Sequence, residues 1–132
     1  MTWPKRKPGD PRILAQKTNK YHAEKTVKDG IAFDSKFEAR RYGELLLLEK
    51  AGEIFGIKVH PVFPLLDHFR DPWSGKCERG ISYIGDFLYQ AKDLHFVCED
   101  TKGVETSDFR IKWKLAKSSN RNIEFKIVKR GV

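Results

Sequence analysis

Residues 81–101 constrain this fold more than any other stretch. They read as two apolar strands, Ile81–Gln90 and Leu94–Thr101, joined by the short turn Ala91-Lys92-Asp93. Side chains alternate faces along a strand. Asp100 and Lys102 therefore share one face, with Cys98 and Phe96 behind them, while Glu99 and Thr101 point the other way. If the strands pair as antiparallel neighbours, Asp86 approaches Asp100. A β-bulge would shift this parity and bring Glu99 in instead. Gly103 ends the second strand.

Helical and turn signals surround this pair. Asp29-Gly30 lies between the β-prone runs Lys25–Lys28 and Ile31–Phe33, a hairpin signal. Ser35 is a natural N-cap with Glu38 three positions on, so a helix is expected from Lys36 to Ala51, with Gly52 as its stop. Phe37, Tyr42, Leu45 and Leu48 form its expected inward stripe. Ile57-Lys58-Val59 and the stretch through Pro61 and Pro64 to Phe69 are extended, and residues 70–80 read as a loop. Thr106 or Ser107 caps a second helix through Lys117, ended by Ser118-Ser119-Asn120. Residues 123–129 alternate as a last strand, with Ile123, Phe125 and Ile127 on one face. The order predicts an α/β (α+β) fold: a mixed sheet flanked by helices and preceded by a β-hairpin. Residues 1–19, with Pro4, Pro8, Gly9 and Pro11 among cations, read as a flexible basic arm. Residues 20–132 are expected to form a single domain.

The chain of 132 residues is 39% hydrophobic and 33% charged, as expected of a globular protein. No apolar run approaches the roughly 20 residues of a membrane helix. The start, Met1–Lys7, lacks the apolar stretch of a signal peptide, so a cytoplasmic location is expected. Cys77 and Cys98 are too few for a disulfide framework. The spacing of His60, His68 and Cys77 matches no zinc pattern. The net charge of +8 is unevenly spread: residues 1–28 carry +6, residues 29–108 carry −5, and residues 109–132 carry +7. Basic ends suit a polyanion such as nucleic acid. An acidic middle suits a divalent cation held by carboxylates, although most acids simply line a solvated surface.

Asp86 is the most informative of these acids. It sits between Ile84 and Leu88 in an apolar strand, where an unpaired carboxylate is costly. Gly85 beside it points to a close approach by backbone or ligand. Two close carboxylates favour a hard divalent cation such as magnesium, and a neighbouring lysine can orient water or stabilise a charged transition state. That is a compact design for phosphodiester hydrolysis. The alternative for Asp100 and Lys102 is a surface ion pair. Glu38 is open between a capping-box role and a ligand role.

The blocks Asn19-Lys20-Tyr21, Asp29-Gly30, Phe33-Asp34-Ser35-Lys36-Phe37-Glu38-Ala39-Arg40-Arg41-Tyr42, His60-Pro61-Val62-Phe63-Pro64-Leu65, Tyr83-Ile84-Gly85-Asp86-Phe87, Glu99-Asp100-Thr101-Lys102-Gly103 and Thr106 through Leu115 occur in an order that resembles the PD-(D/E)XK nuclease superfamily. More closely, it resembles a family of small phage Holliday-junction resolvase-like endonucleases. The resemblance implies a restriction-endonuclease-like αβββαβ core and DNA cleavage dependent on Mg2+, with Mn2+ as a substitute. It implies Glu38, Asp86 and Asp100 as metal ligands and Lys102 as the catalytic lysine. Gly85-Asp86 replaces the usual Pro-Asp. His60 stands where glutamine would precede the proline, so no role is carried over to that position.

Lys36, Arg40 and Arg41 lie near Glu38 in sequence, and Arg110, Lys112, Lys114 and Lys117 load the second helix. These are the candidate DNA-binding residues. Positions 110, 114 and 117 share one face, and Phe109, Trp113 and Ala116, at the same spacing, form the more apolar side. Such cations grip phosphates without reading sequence. Cutting two strands across a junction calls for a homodimer. Phe55, Phe63, Phe69 and Trp73 exceed what one small core needs, so some are expected at an interface. Two other functions compete: the same chemistry on flaps, nicks or duplex, and a basic DNA-binding protein without catalysis.

Overall fold

The structure, a computed structural model, describes residues 26–129. The expected basic arm and the Asn19-Lys20-Tyr21 block lie outside the described residues. The chain divides into two units between Ala39 and Arg40.

In the first unit, β1 (Thr26–Lys28) pairs antiparallel with β2 (Ile31–Phe33). Asp29 and Gly30 both take positive φ, 53° and 77°. Two such residues in succession make the hairpin turn whose twist matches its strands, as Asp-Gly predicts. The helix α1 (Lys36–Lys50) starts in this unit. Its Glu38 N–H donates to Ser35 Oγ at 3.1 Å, so the expected N-cap is made.

In the second unit, α1 ends in a Schellman motif. The Glu53 N–H reaches the Leu48 carbonyl at 2.9 Å, the Gly52 N–H reaches that of Glu49 at 3.0 Å, and Gly52 adopts φ 79°. Tyr42 and Leu45 are buried as expected, but Leu48 is 37% exposed. Glu49 instead turns inward in the last turn, where its carboxylate accepts the Ile57 N–H at 3.2 Å.

Ten strands are described, eight of them in this unit. The main sheet has the order β10 (Ile123–Lys129), β9 (Phe96–Lys102), β8 (Phe87–Ala91), β3 (Ile54–Val59). Only the β10–β9 pair is parallel, which makes the sheet mixed. The connection from β9 to β10 carries helix α2 (Ser107–Ser119), and Thr106 caps it by accepting the Phe109 N–H.

A second small sheet pairs β4 (Val62–Leu66) with β7 (Ile81–Ile84). The expected single strand over 81–90 is therefore two strands, broken at Gly85-Asp86. The chain breaks opposite this point too, at His60-Pro61. The two breaks are tied together: the His60 N–H donates to the Asp86 carbonyl and the Gly85 N–H to the Pro61 carbonyl, both at 2.9 Å. Gly85 is required there, because a Cβ would stand 2.8 Å from Cys98 Sγ. The close approach expected of Gly85 is thus made by a side chain. The expected loop 70–80 contains a small hairpin, β5 (Phe69–Arg70) with β6 (Cys77–Glu78).

One face of the main sheet packs under α2 and the small sheet. Phe63, Tyr83, Cys98, Phe109 and Ala116 are buried there, with Leu88, Trp113, Phe125 and Ile127 against them. Trp113 meets Phe109 at 5.3 Å and Phe125 at 5.4 Å between ring centroids. Each such pair is worth about 0.5–1.5 kcal/mol beyond area burial. On the opposite face Tyr42 stacks on Phe87 at 6.1 Å. Of the four surplus aromatics, Phe63 belongs to the core, whereas Phe55, Phe69 and Trp73 are exposed. Among the described residues no helix is long and apolar enough to cross a membrane.

Candidate functional site

The polar end of β9 carries three carboxylate or ammonium groups whose direction is set by strand alternation. Asp100 and Lys102 point to the α2 face, with Lys102 Nζ 3.2 Å from Asp100 Oδ1. The β8–β9 pairing keeps its register through Glu99, so no bulge disturbs the expected parity. Glu99 faces the other side. There it is fully buried and receives two bonds from Arg41, at 2.7 and 2.8 Å, and one from the Tyr89 hydroxyl. Glu99, by hydrogen bonding first of all, holds the Arg41 guanidinium well above its ordinary pKa. Arg41 also reaches Glu44 at 2.8 Å. Its guanidinium is thus engaged by carboxylates of its own chain.

Asp100 is 2% exposed. Its Oδ2 accepts the Tyr83 hydroxyl. Its Oδ1 is buried without a hydrogen bond, and the Lys102 ammonium faces it as an ion-pair partner. Burial first, and then the neighbouring charge of Asp86, push the Asp100 carboxyl up to about 6. Tyr83 and Lys102 oppose that rise without cancelling it. Tyr83 itself is raised, by burial and then by the charge of Asp100, so it remains a proton donor. The Cys98 thiol behind this group is pushed up to about 12 by burial, which leaves it an inert core residue.

Asp86 lies at the chain break. Its N–H donates to the Glu99 carbonyl at 3.0 Å, which docks the break against β9. Its Oδ2 accepts both the N–H of Thr101 at 2.6 Å and the Thr101 hydroxyl at 2.7 Å. The costly unpaired carboxylate inferred from the apolar surroundings is therefore held in a fixed orientation. His60 lies across the break from Asp86, with a ring nitrogen within 4.8 Å of a carboxylate oxygen. Lys102 Nζ sits 4.5 Å above the Phe109 ring, a cation–π contact that steadies the ammonium.

Of the expected site residues, Asp86, Asp100 and Lys102 come together. Glu38 belongs to the first unit, buried in the first turn of α1. Among the expected DNA contacts, Lys36, Arg40, Arg110, Lys114 and Lys117 are exposed, Lys112 is half-buried, and Arg41 is engaged as described. Phe109 and Ala116, on the more apolar side of α2, are buried, as the helical spacing predicts. Sequence reasoning missed Tyr83 and the Arg41–Glu99–Tyr89 group. Tyr83 reads as one more apolar strand residue, and Arg41 as one more cation among several.

The donor chemistry fits a hard divalent cation. Two carboxylates lie close enough to repel, and one has a buried oxygen lacking a hydrogen bond. A divalent ion relieves both defects with oxygen ligands. No curated protein and no solved structure matches this chain. A family model described as protein of unknown function, DUF1064, matches residues 18–132, and the chain belongs to that family.

Proposed function

We propose that this protein is a metal-dependent DNA endonuclease of the PD-(D/E)XK type that cuts branched DNA, a four-way junction in the first instance. One observation carries the reading: the buried Asp100 oxygen without a hydrogen bond, beside Asp86 and Lys102. Asp86 and Asp100 would hold Mg2+, or Mn2+ as a substitute, and the resemblance adds Glu38 as a further oxygen donor. An ion held there would supply an acidified water and neutralise phosphoryl oxygens. Thr101 holds Asp86 and Tyr83 holds Asp100 in place. Lys102, steadied by Phe109, puts a positive charge where the phosphate gains negative charge, or orients the attacking water.

The exposed cations of α2, Arg110, Lys114 and Lys117, grip backbone phosphates beside the cut, with Lys36, Arg40 and Lys112 as further contacts. Arg41 is left out of this set because Glu99 engages it. Symmetric cleavage of a junction requires two active sites, so the protein acts as a homodimer.

A cleavage assay on a four-way junction, a flap and linear duplex tests this, each with Mg2+ and with EDTA. The expected result is Mg2+-dependent cutting of the junction that D86N and D100N abolish while binding persists. Faster cutting of flaps or duplex would replace the substrate and keep the chemistry. Binding without cutting under Mg2+ or Mn2+ would overturn the enzyme and leave a basic DNA-binding protein.

A further inference from the structure

His60 occupies a conformation that histidine rarely adopts. Its φ is 54°, in the left-handed region. A positive φ is uncommon in residues other than glycine, and histidine, with asparagine and aspartate, is among those that adopt it most readily. The next residue is Pro61, and a residue before proline is normally held extended. The surrounding chain enforces the exception. The His60 N–H is fixed to the Asp86 carbonyl at 2.9 Å, and buried Pro61 is fixed to the Gly85 N–H at 2.9 Å. The consequence is a half-buried imidazole with a ring nitrogen within 4.8 Å of an Asp86 carboxylate oxygen. Strain of this kind persists where the surroundings overdetermine it, often at sites of function.

We propose that His60 is a nitrogen ligand of the metal ion, and that it shifts the site from Mg2+ toward a first-row transition ion such as Mn2+. The inference rests on the metal site proposed above. A second observation supports a bound ion independently of His60: the buried Asp100 oxygen without a hydrogen bond, close enough to Asp86 to feel its charge. Two donors on one octahedral ion at about 2.1 Å lie about 3–4.2 Å apart. Within a separation of 4.8 Å, the His60–Asp86 pair has to close by at most about 2 Å. Magnesium prefers oxygen donors and retains water, whereas imidazole suits transition ions. One nitrogen among carboxylates therefore changes which ion is held best without changing the hydrolytic chemistry.

The test uses Mn2+ alone, without DNA. Electron spin-echo modulation of bound Mn2+ reports a coordinated imidazole through its remote nitrogen, and 15N-histidine labelling of the unaltered chain identifies that nitrogen as histidine's. H60N is the matching variant, because asparagine tolerates the left-handed backbone and removes the ring. The expected result is histidine nitrogen modulation in the native protein and its loss in H60N. Mn2+ affinity should fall at least about tenfold, the loss seen when even an outer partner of a metal ligand is removed. Mg2+ affinity should change much less. Mn2+ binding that D86N abolishes, but with no histidine modulation, would overturn the role of His60 and leave the carboxylate site standing. Absence of Mn2+ binding, or binding that survives D86N unchanged, would overturn both.

Discussion

Replacing Asp100 with asparagine should make the metal-free protein more stable while removing the proposed activity. Asparagine has nearly the same shape and keeps an oxygen for the Tyr83 hydroxyl, but it carries no charge. The Asp100 carboxyl is pushed from 3.8 up to about 6, by burial and then by Asp86. One pKa unit corresponds to about 1.4 kcal/mol, so ionised Asp100 costs the metal-free fold about 3 kcal/mol at pH 7.5. The folded pKa lies above the unfolded one. Stability from this group is therefore complete below 3.8 and is lost as pH rises through about 6. At pH 5 roughly half of the cost is already present. For a chain of this size each kcal/mol moves Tm by roughly 3–5 °C. Thermal unfolding in EDTA should then show D100N melting on the order of 10 °C above the native protein at pH 7.5, and about half that margin at pH 5. Added Mg2+ should raise the Tm of the native protein and leave D100N nearly unchanged. A D100N protein that melts at or below the native one at pH 7.5, or a margin that does not shrink at pH 5, would refute the argument that Asp100 is a strained charge awaiting a cation.

Three further outcomes follow from the same geometry. G85A drives a methyl group to 2.8 Å from Cys98 Sγ and should destabilise by about 1–3 kcal/mol in urea unfolding. R41A leaves Glu99, which is fully buried, without its ion pair, and should cost about 3–5 kcal/mol, with E99Q in the R41A background restoring part of the loss. R110A, K114A and K117A should each weaken DNA binding to all sequences alike and lower the slope of log affinity against log salt by about 1, measured by fluorescence anisotropy across a salt series. An unchanged slope in all three would remove α2 from the DNA-binding surface.

Much of this architecture is legible from local signals, because those signals act over a few residues. Asp29-Gly30 demands two left-handed residues in a row, and the hairpin has them. Ser35 and Thr106 accept N–H groups at the two helix starts, Gly52 closes the first helix, and Ile123–Lys129 forms the last strand. Alternation alone puts Asp100 and Lys102 on one face and Glu99 on the other. Leu48 and residues 81–90 show where local patterning stops. The burial of a helix face depends on what packs against its last turn, and here Glu49 takes the inward place. A strand continues only while its partner continues, and the chain opposite breaks at His60-Pro61.

The order of elements, their faces and the acids carried on β9 were thus already written in nearest-neighbour chemistry. Tertiary packing decided the rest. It joined two chain breaks, one at His60-Pro61 and one at Gly85-Asp86, and so brought an imidazole to Asp86. It aimed Tyr83 at Asp100 from another sheet, left one carboxylate oxygen buried without a hydrogen bond, and turned Arg41 inward onto Glu99. These contacts span 17 to 58 residues of chain. No periodicity encodes them, because they arise from the energetics of burying charge between elements that meet only when the sheet has formed.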